Sequence, residues 1–99
     1  MRYGRVVETP THSVATVTIA SGTALAENAN RLGALFVNDS TATIYLMIGA
    51  TAVASQGIRL NANGGVFEMS AANDNVSIDA INAIHGDSGD KTLLVTEWA

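Results

Sequence analysis

The chain has no cysteine in its 99 residues, which excludes disulfides and thiolate metal sites and leaves the redox compartment undetermined. Charge is also scarce. Charged residues make up 14% of the sequence, against the ~25% usual in globular chains. The five basic residues, Arg2, Arg5, Arg31, Arg59 and Lys91, are scattered, and the net charge is −4. Nucleic-acid binding needs a basic patch to displace counterions, so no nucleic-acid partner is expected. Long apolar runs are missing as well. The opening MRYGRVVETP holds no stretch of signal-peptide length. The longest uncharged stretch, around Tyr45, is broken by Gly and Thr and falls short of the ~20 apolar residues of a membrane helix. The expectation is a soluble chain with no cleavable export signal and no membrane partner.

Hydrophobic residues, in contrast, reach 47%, and Ala, Thr, Ser, Asn and Gly replace the missing charge. Such a surface is weakly solvated and suits packing against neighbours. The length fits one domain that buries about two-thirds of its unfolded surface. Its most telling segment is Thr43–Ile48, TIYLMI. Side chains of an extended chain alternate between faces, so Ile44, Leu46 and Ile48 share one side while Tyr45 and Met47 share the other. A half-solvated strand would carry polar residues on one of them. One face belongs to the core. The other needs a cover, either a neighbouring subunit or a loop of the same chain such as Ser21–Asn30. Tyr45 and Met47, with Trp98 as a further surface ring, are the candidate subunit-interface residues.

Turn-forming clusters recur at the short spacing of a sandwich or barrel. Arg2–Glu8 reads as a short arm or edge strand, closed by Thr9 and Pro10. Val14–Ala20 is rich in β-branched residues that fit a pleated surface. Ser21–Asn30 reads as a loop, with a single helical turn as the alternative. Leu32–Asn38 and TIYLMI, separated by a short turn, suggest an antiparallel hairpin. Gly49–Gln56 is a loop or weak edge strand. Gly57–Asn61 alternates with Ile58 and Leu60 inward, then Asn61–Gly65 gives the strongest turn signal, since Asn and Gly tolerate positive φ. Val66–Ser70 forms the return strand, Val76–Ile81 another, His85–Lys91 a polar loop and Thr92–Trp98 the final strand. The fold class is therefore all-β, an antiparallel β-sandwich or jelly roll of about seven or eight short strands. Residues 1–29 supply an arm and first strands, and residues 30–99 the remainder of a single domain.

The candidate sites of chemistry read as structure. Gly86–Gly89 is GDSG, which echoes the nucleophile segment of trypsin-like proteases. A nucleophilic serine needs a histidine base and a buried aspartate to orient it, and adjacency of His85 to this segment does not supply that geometry. The segment continues as Asp90-Lys91, and a polar turn is the better reading. Asp87 and Asp90 offer two carboxylates without the closing Glu of a calcium loop. His12 and His85 are too few for zinc without cysteines or clustered carboxylates, and both read as exposed and inert. Asn38-Asp-Ser40 and Asn75-Val-Ser77 match the glycosylation pattern but read as turn residues. Gly64-Gly65 lacks the lysine and helix of a phosphate cradle. No catalytic, metal or cofactor residues are assigned, and the chain is expected not to be an enzyme.

Asn30–Ile48, NRLGALFVNDSTATIYLMI, combines an Asn-Arg start, an apolar strand ending in Asn-x-Ser and an aliphatic strand reaching Gly49. With Gly57–Leu60, the Gly-Gly before Val66, Val76–Ile84 and the closing Val95–Glu97, it resembles small β-sandwich structural proteins of tailed-bacteriophage virions. The resemblance covers Asn30 to Trp98 and is a pattern of strands and turns. It implies a capsid decoration or cement protein that stabilises the phage head as a homo-oligomer, a trimer at a symmetry axis. Its partners would be the major capsid protein or other virion proteins. Its place would be the capsid surface, after synthesis in the host cytoplasm. A tail, neck or head-fibre component is the alternative placement, and a carbohydrate-binding module for host recognition the alternative class.

Overall fold

Among residues 9–99, which the computed structural model describes, the chain forms eight strands and no helix. They are β1 (Pro10–Val17), β2 (Gly22–Leu25), β3 (Gly33–Asn38), β4 (Ile44–Ile48), β5 (Ile58–Leu60), β6 (Val66–Met69), β7 (Ile81–His85) and β8 (Lys91–Trp98). The expected arm at 2–8 lies outside the described residues. Sheet A has the order β1-β8-β3-β6 and sheet B the order β2-β7-β4-β5. Every neighbouring pair is antiparallel. The pairings of β1 with β8, β2 with β7, β3 with β6 and β4 with β5 nest inside one another. A single long hairpin has thus been rolled across two layers, which is jelly-roll order.

Strand alternation builds the core between the layers. Phe36, Leu93 and Val95 from sheet A meet Ile44, Leu46 and Ile81 from sheet B, all at 1% exposure or less. Burying each large apolar side chain contributes about 1.5–3 kcal/mol. Phe36 also stacks on Phe67 at a centroid distance of 6.1 Å, as the two are direct cross-strand partners. Ile58 and Leu60 face inward as their alternation suggests, opposite Leu46 and Ile44.

Rolling the hairpin separates strands that sequence proximity joins. The expected hairpin of β3 and β4 does not form, because β3 lies in sheet A and β4 in sheet B. Likewise Val66–Met69 returns to β3, not to β5. The Asn61–Gly65 turn is real, with Asn63 at φ 60° and Gly64 at φ 112°, but it carries the chain between layers. The first strand begins at Pro10, ahead of the expected Val14, and ends at Val17. Ser21–Asn30 contains β2, an edge strand on β7, where a loop was the expectation. The expected strand Val76–Ile81 is irregular up to Ala80. Its carbonyls serve elsewhere: Arg31 Nη1 donates to Ser77 O and Asp79 O, and Asn28 N donates to Ile78 O.

Both inner crossings are tied by one residue, Asn38. Its side chain is fully buried, and Nδ2 lies within 3.1 Å of the carbonyl oxygens of Ala42, Leu60 and Asn61. Its Oδ1 accepts from Ser40 Oγ at 2.7 Å. The backbone joins in, with Asn38 N donating to Gly65 O and Gly64 N donating to Asn38 O. The β3–β4 and β5–β6 connections are therefore clamped to each other. Burial also closes the glycosylation reading at Asn38, since its amide nitrogen is enclosed. Replacing Asn38 with Ala strands several buried acceptors and is expected to cost on the order of 3 kcal/mol. The measurement is a urea unfolding midpoint, and an unshifted midpoint would show that the clamp contributes little.

Candidate functional site

The outer face of sheet B is covered from within the chain. Tyr45 and Met47 on β4 face outward beside Ile84 and Asn82 on β7, and both are half-buried. The β4–β5 connection, residues 49–57, folds over them. Asn82 Nδ2 donates to Ala50 O at 2.6 Å, and Ala52 N donates to Ser21 Oγ at 2.8 Å. Ile84 falls to 9% exposure beneath this cover, and Ala52 within it to 3%. Gly57 lets the loop close. It has φ 81°, and a Cβ there would stand 2.4 Å from Leu46 O and 3.4 Å from the Met47 thioether. A loop of the same chain therefore lies over the second apolar face of β4, and it is 49–57 rather than Ser21–Asn30.

Trp98 lies on the opposite side of the molecule from Tyr45 and Met47, at the outer face of sheet A. Its ring packs over Gly33, where a Cβ would stand 3.8 Å from Trp98 Cε3. It is half-buried and borders a groove of about 340 Å³ with Leu32, Glu68 and Ser70. The three candidate interface residues thus divide between two outer faces.

Sheet A carries a feature that only pairing reveals. Val14 is opposite Leu94, Leu94 opposite Val37, and Val37 opposite Val66. These four residues form an apolar row across all four strands. Val14 is 66% exposed, Val66 57% and Leu94 38%. The next row runs His12, Thr96, Leu35, Glu68. His12 is exposed, as expected, and its Nδ1 lies 2.9 Å from Thr96 Oγ1.

His85 departs from its expected exposure. It ends β7 facing inward, opposite Ile44, and is 1% exposed. Asp87 N donates to Nδ1 at 3.0 Å, and Nε2 lies 2.6 Å from Gly89 O. A ring nitrogen that accepts is unprotonated, so the proton sits on Nε2 and is donated to the carbonyl. Both nitrogens serve the GDSG turn, and neither is open to take a proton from Ser88. Lys91 Nζ approaches Asp87 Oδ2 at 3.9 Å across the same turn. Among the described residues, no three His, Cys, Asp or Glu side chains group as metal ligands do.

One buried cation organises the far end of the sandwich. The Arg31 side chain is fully enclosed, and its Nε donates to Glu97 Oε2 at 2.8 Å. Its Nη1 holds Ser77 O and Asp79 O, and its Nη2 holds Ala26 O. The guanidinium therefore ties the 26–31 loop, the 76–80 segment and β8 together. Its planar fork explains the choice of arginine over lysine. Sequence reading left Arg31 as one of five scattered charges, since only the Asn30-Arg31 pair hinted at a role.

No family model, curated protein or solved structure matches this chain. The described residues alone define an all-β sandwich with one self-covered face and one that exposes apolar side chains.

Arg31→Ala would leave Glu97 and three carbonyls without their donor. Breaking one side of a buried pair costs about 3–5 kcal/mol. Thermal unfolding should show a large loss of stability, and Arg31→Lys should recover only part of it. Full recovery by lysine would mean that the fork geometry is immaterial.

Proposed function

We propose that this protein is a non-enzymatic structural component of a tailed-bacteriophage particle, a decoration or cement protein that binds the head shell and associates with copies of itself. The observation that carries this reading is the apolar row Val14–Leu94–Val37–Val66, exposed on a sheet whose other face is the core. An exposed apolar patch on a small soluble domain marks a contact surface. The resemblance of Asn30–Trp98 to virion proteins supplies the setting. Jelly-roll order agrees with it, since capsid domains use this architecture, though fold alone does not define function. His85 and the GDSG turn, committed to each other, suit a structural role.

Quantitative mass spectrometry of purified particles tests the reading. A head decoration protein should be present in proportion to the major shell subunit, and isolated heads stripped of it should rebind the purified protein. Low copy number confined to the tail fraction would move it to the tail, neck or head fibre. Absence from particles would overturn the virion role.

A second reading rests on the groove at Trp98. An aromatic ring beside Glu68 and Ser70 offers a stacking surface with polar partners, the combination used to hold a sugar ring. A carbohydrate-binding module for host recognition would show glycan-array binding that Trp98→Ala abolishes. An array without signal removes this reading.

A further inference from the structure

The outer face of sheet A is self-complementary, and we propose that it is the contact between two copies of this chain, related by a two-fold axis parallel to the strands. The inference rests on the self-association half of the reading above and not on where the protein works. Sheet A has four strands, so an axis running between its two central strands, β8 and β3, exchanges the halves. It lays β1 of one copy over β6 of its partner and β8 over the partner's β3. An axis along the strands leaves height unchanged, so the rows stay matched.

In the apolar row, Val14 meets the second copy's Val66 and Leu94 meets its Val37. In the adjoining row, His12 meets Glu68. Each contact occurs twice, as an isologous interface requires. In the tautomer in which Nδ1 accepts from the Thr96 hydroxyl, His12 Nε2 carries the proton and donates it to the Glu68 carboxylate. The two ionisable side chains that the strands carry on this face are thereby matched to each other.

Size supports a pair of modest strength. Strands ~4.8 Å apart and rising ~3.3 Å per residue give the face about 400 Å² of projected area, and packed sheets lie ~10 Å apart. Two such faces cover on the order of 800 Å² before side-chain relief is counted, which is below the size of stable interfaces and makes this a weak, transient pair. Packed sheets cross at about 30°, which displaces the outer strands by a few ångströms but not by a full row. Among the described residues sheet B has no comparable face, because residues 49–57 lie over Tyr45 and Met47.

Sedimentation equilibrium on the full chain tests the proposal. The wild type should show a reversible monomer–dimer equilibrium at concentrations up to about 1 mM. Val66→Asp, at an exposed position, should weaken it at least tenfold while the thermal midpoint holds. Val53→Asp, on the cover of sheet B, should change nothing. The charge swap is decisive. His12→Glu sets two carboxylates opposite each other and should weaken the dimer, and adding Glu68→Lys should restore it. A strict monomer, a trimer, or a double variant no stronger than His12→Glu alone would overturn the two-fold face. None of these outcomes bears on copy number in particles, so the virion reading stands or falls separately.

Discussion

A rolled hairpin sends its chain from one layer to the other at nearly every connection, and the Asn38 amide is what makes the two inner crossings compatible. The β3–β4 link and the β5–β6 link both leave the ladder, so their carbonyls lose strand partners in a buried place. Such groups are costly unless they find donors. The Asn38 side chain reaches Ala42, Leu60 and Asn61, while its backbone takes Gly65 and Gly64. A hydroxyl or a carboxylate at that position lacks the paired N–H groups. At the far end Arg31 solves the same problem with charge, gathering carbonyls from two loops and a carboxylate from β8. The apolar core sets the spacing of the layers, and these two polar side chains set which segments cross.

The two outer faces are treated in opposite ways, and that asymmetry is the basis of the functional reading. On sheet B the chain spends residues 49–57 in sheltering Tyr45, Met47 and Ile84. On sheet A nothing among the described residues shelters Val14, Leu94 and Val66 to the same degree. Selection against exposed apolar surface is general in soluble proteins. The described residues thus cover one face and leave apolar side chains exposed on the other, and this contrast is what the proposed contact rests on. The buried histidine, His85, is locked to its own turn.

Much of the fold was legible because period-two alternation survives in the sequence. The inward set Ile44, Leu46 and Ile48 and the outward pair Tyr45 and Met47 fall where alternation puts them, as do Ile58 and Leu60. What alternation cannot show is which layer a strand joins, so β3 and β4 looked like a hairpin. It also cannot see side-chain donors arriving from afar. Arg31 diverts the Ser77 and Asp79 carbonyls and dissolves the apparent strand at Val76–Ile81. His85 looked like a loop residue because Gly86–Asp90 follows it, yet its ring is the inward anchor of that loop. The exposed row on sheet A was the least legible feature, since its members are far apart in sequence and only register aligns them.

The interior place of β8 has a consequence for the order in which the fold can be made. Lys91–Trp98 is the latest of the eight strands, yet it lies between β1 and β3 and pairs with both. As the chain leaves the ribosome, β1 must wait with its ladder to β8 unpaired until the six intervening strands have been synthesised. Its partner arrives some eighty residues later, a separation that makes closure slow. During that interval the nascent chain exposes an uncharged, β-branched edge of the kind that pairs with other chains. The lifetime of that incomplete sheet, and not only the stability of the finished one, therefore bears on how the chain behaves at high concentration.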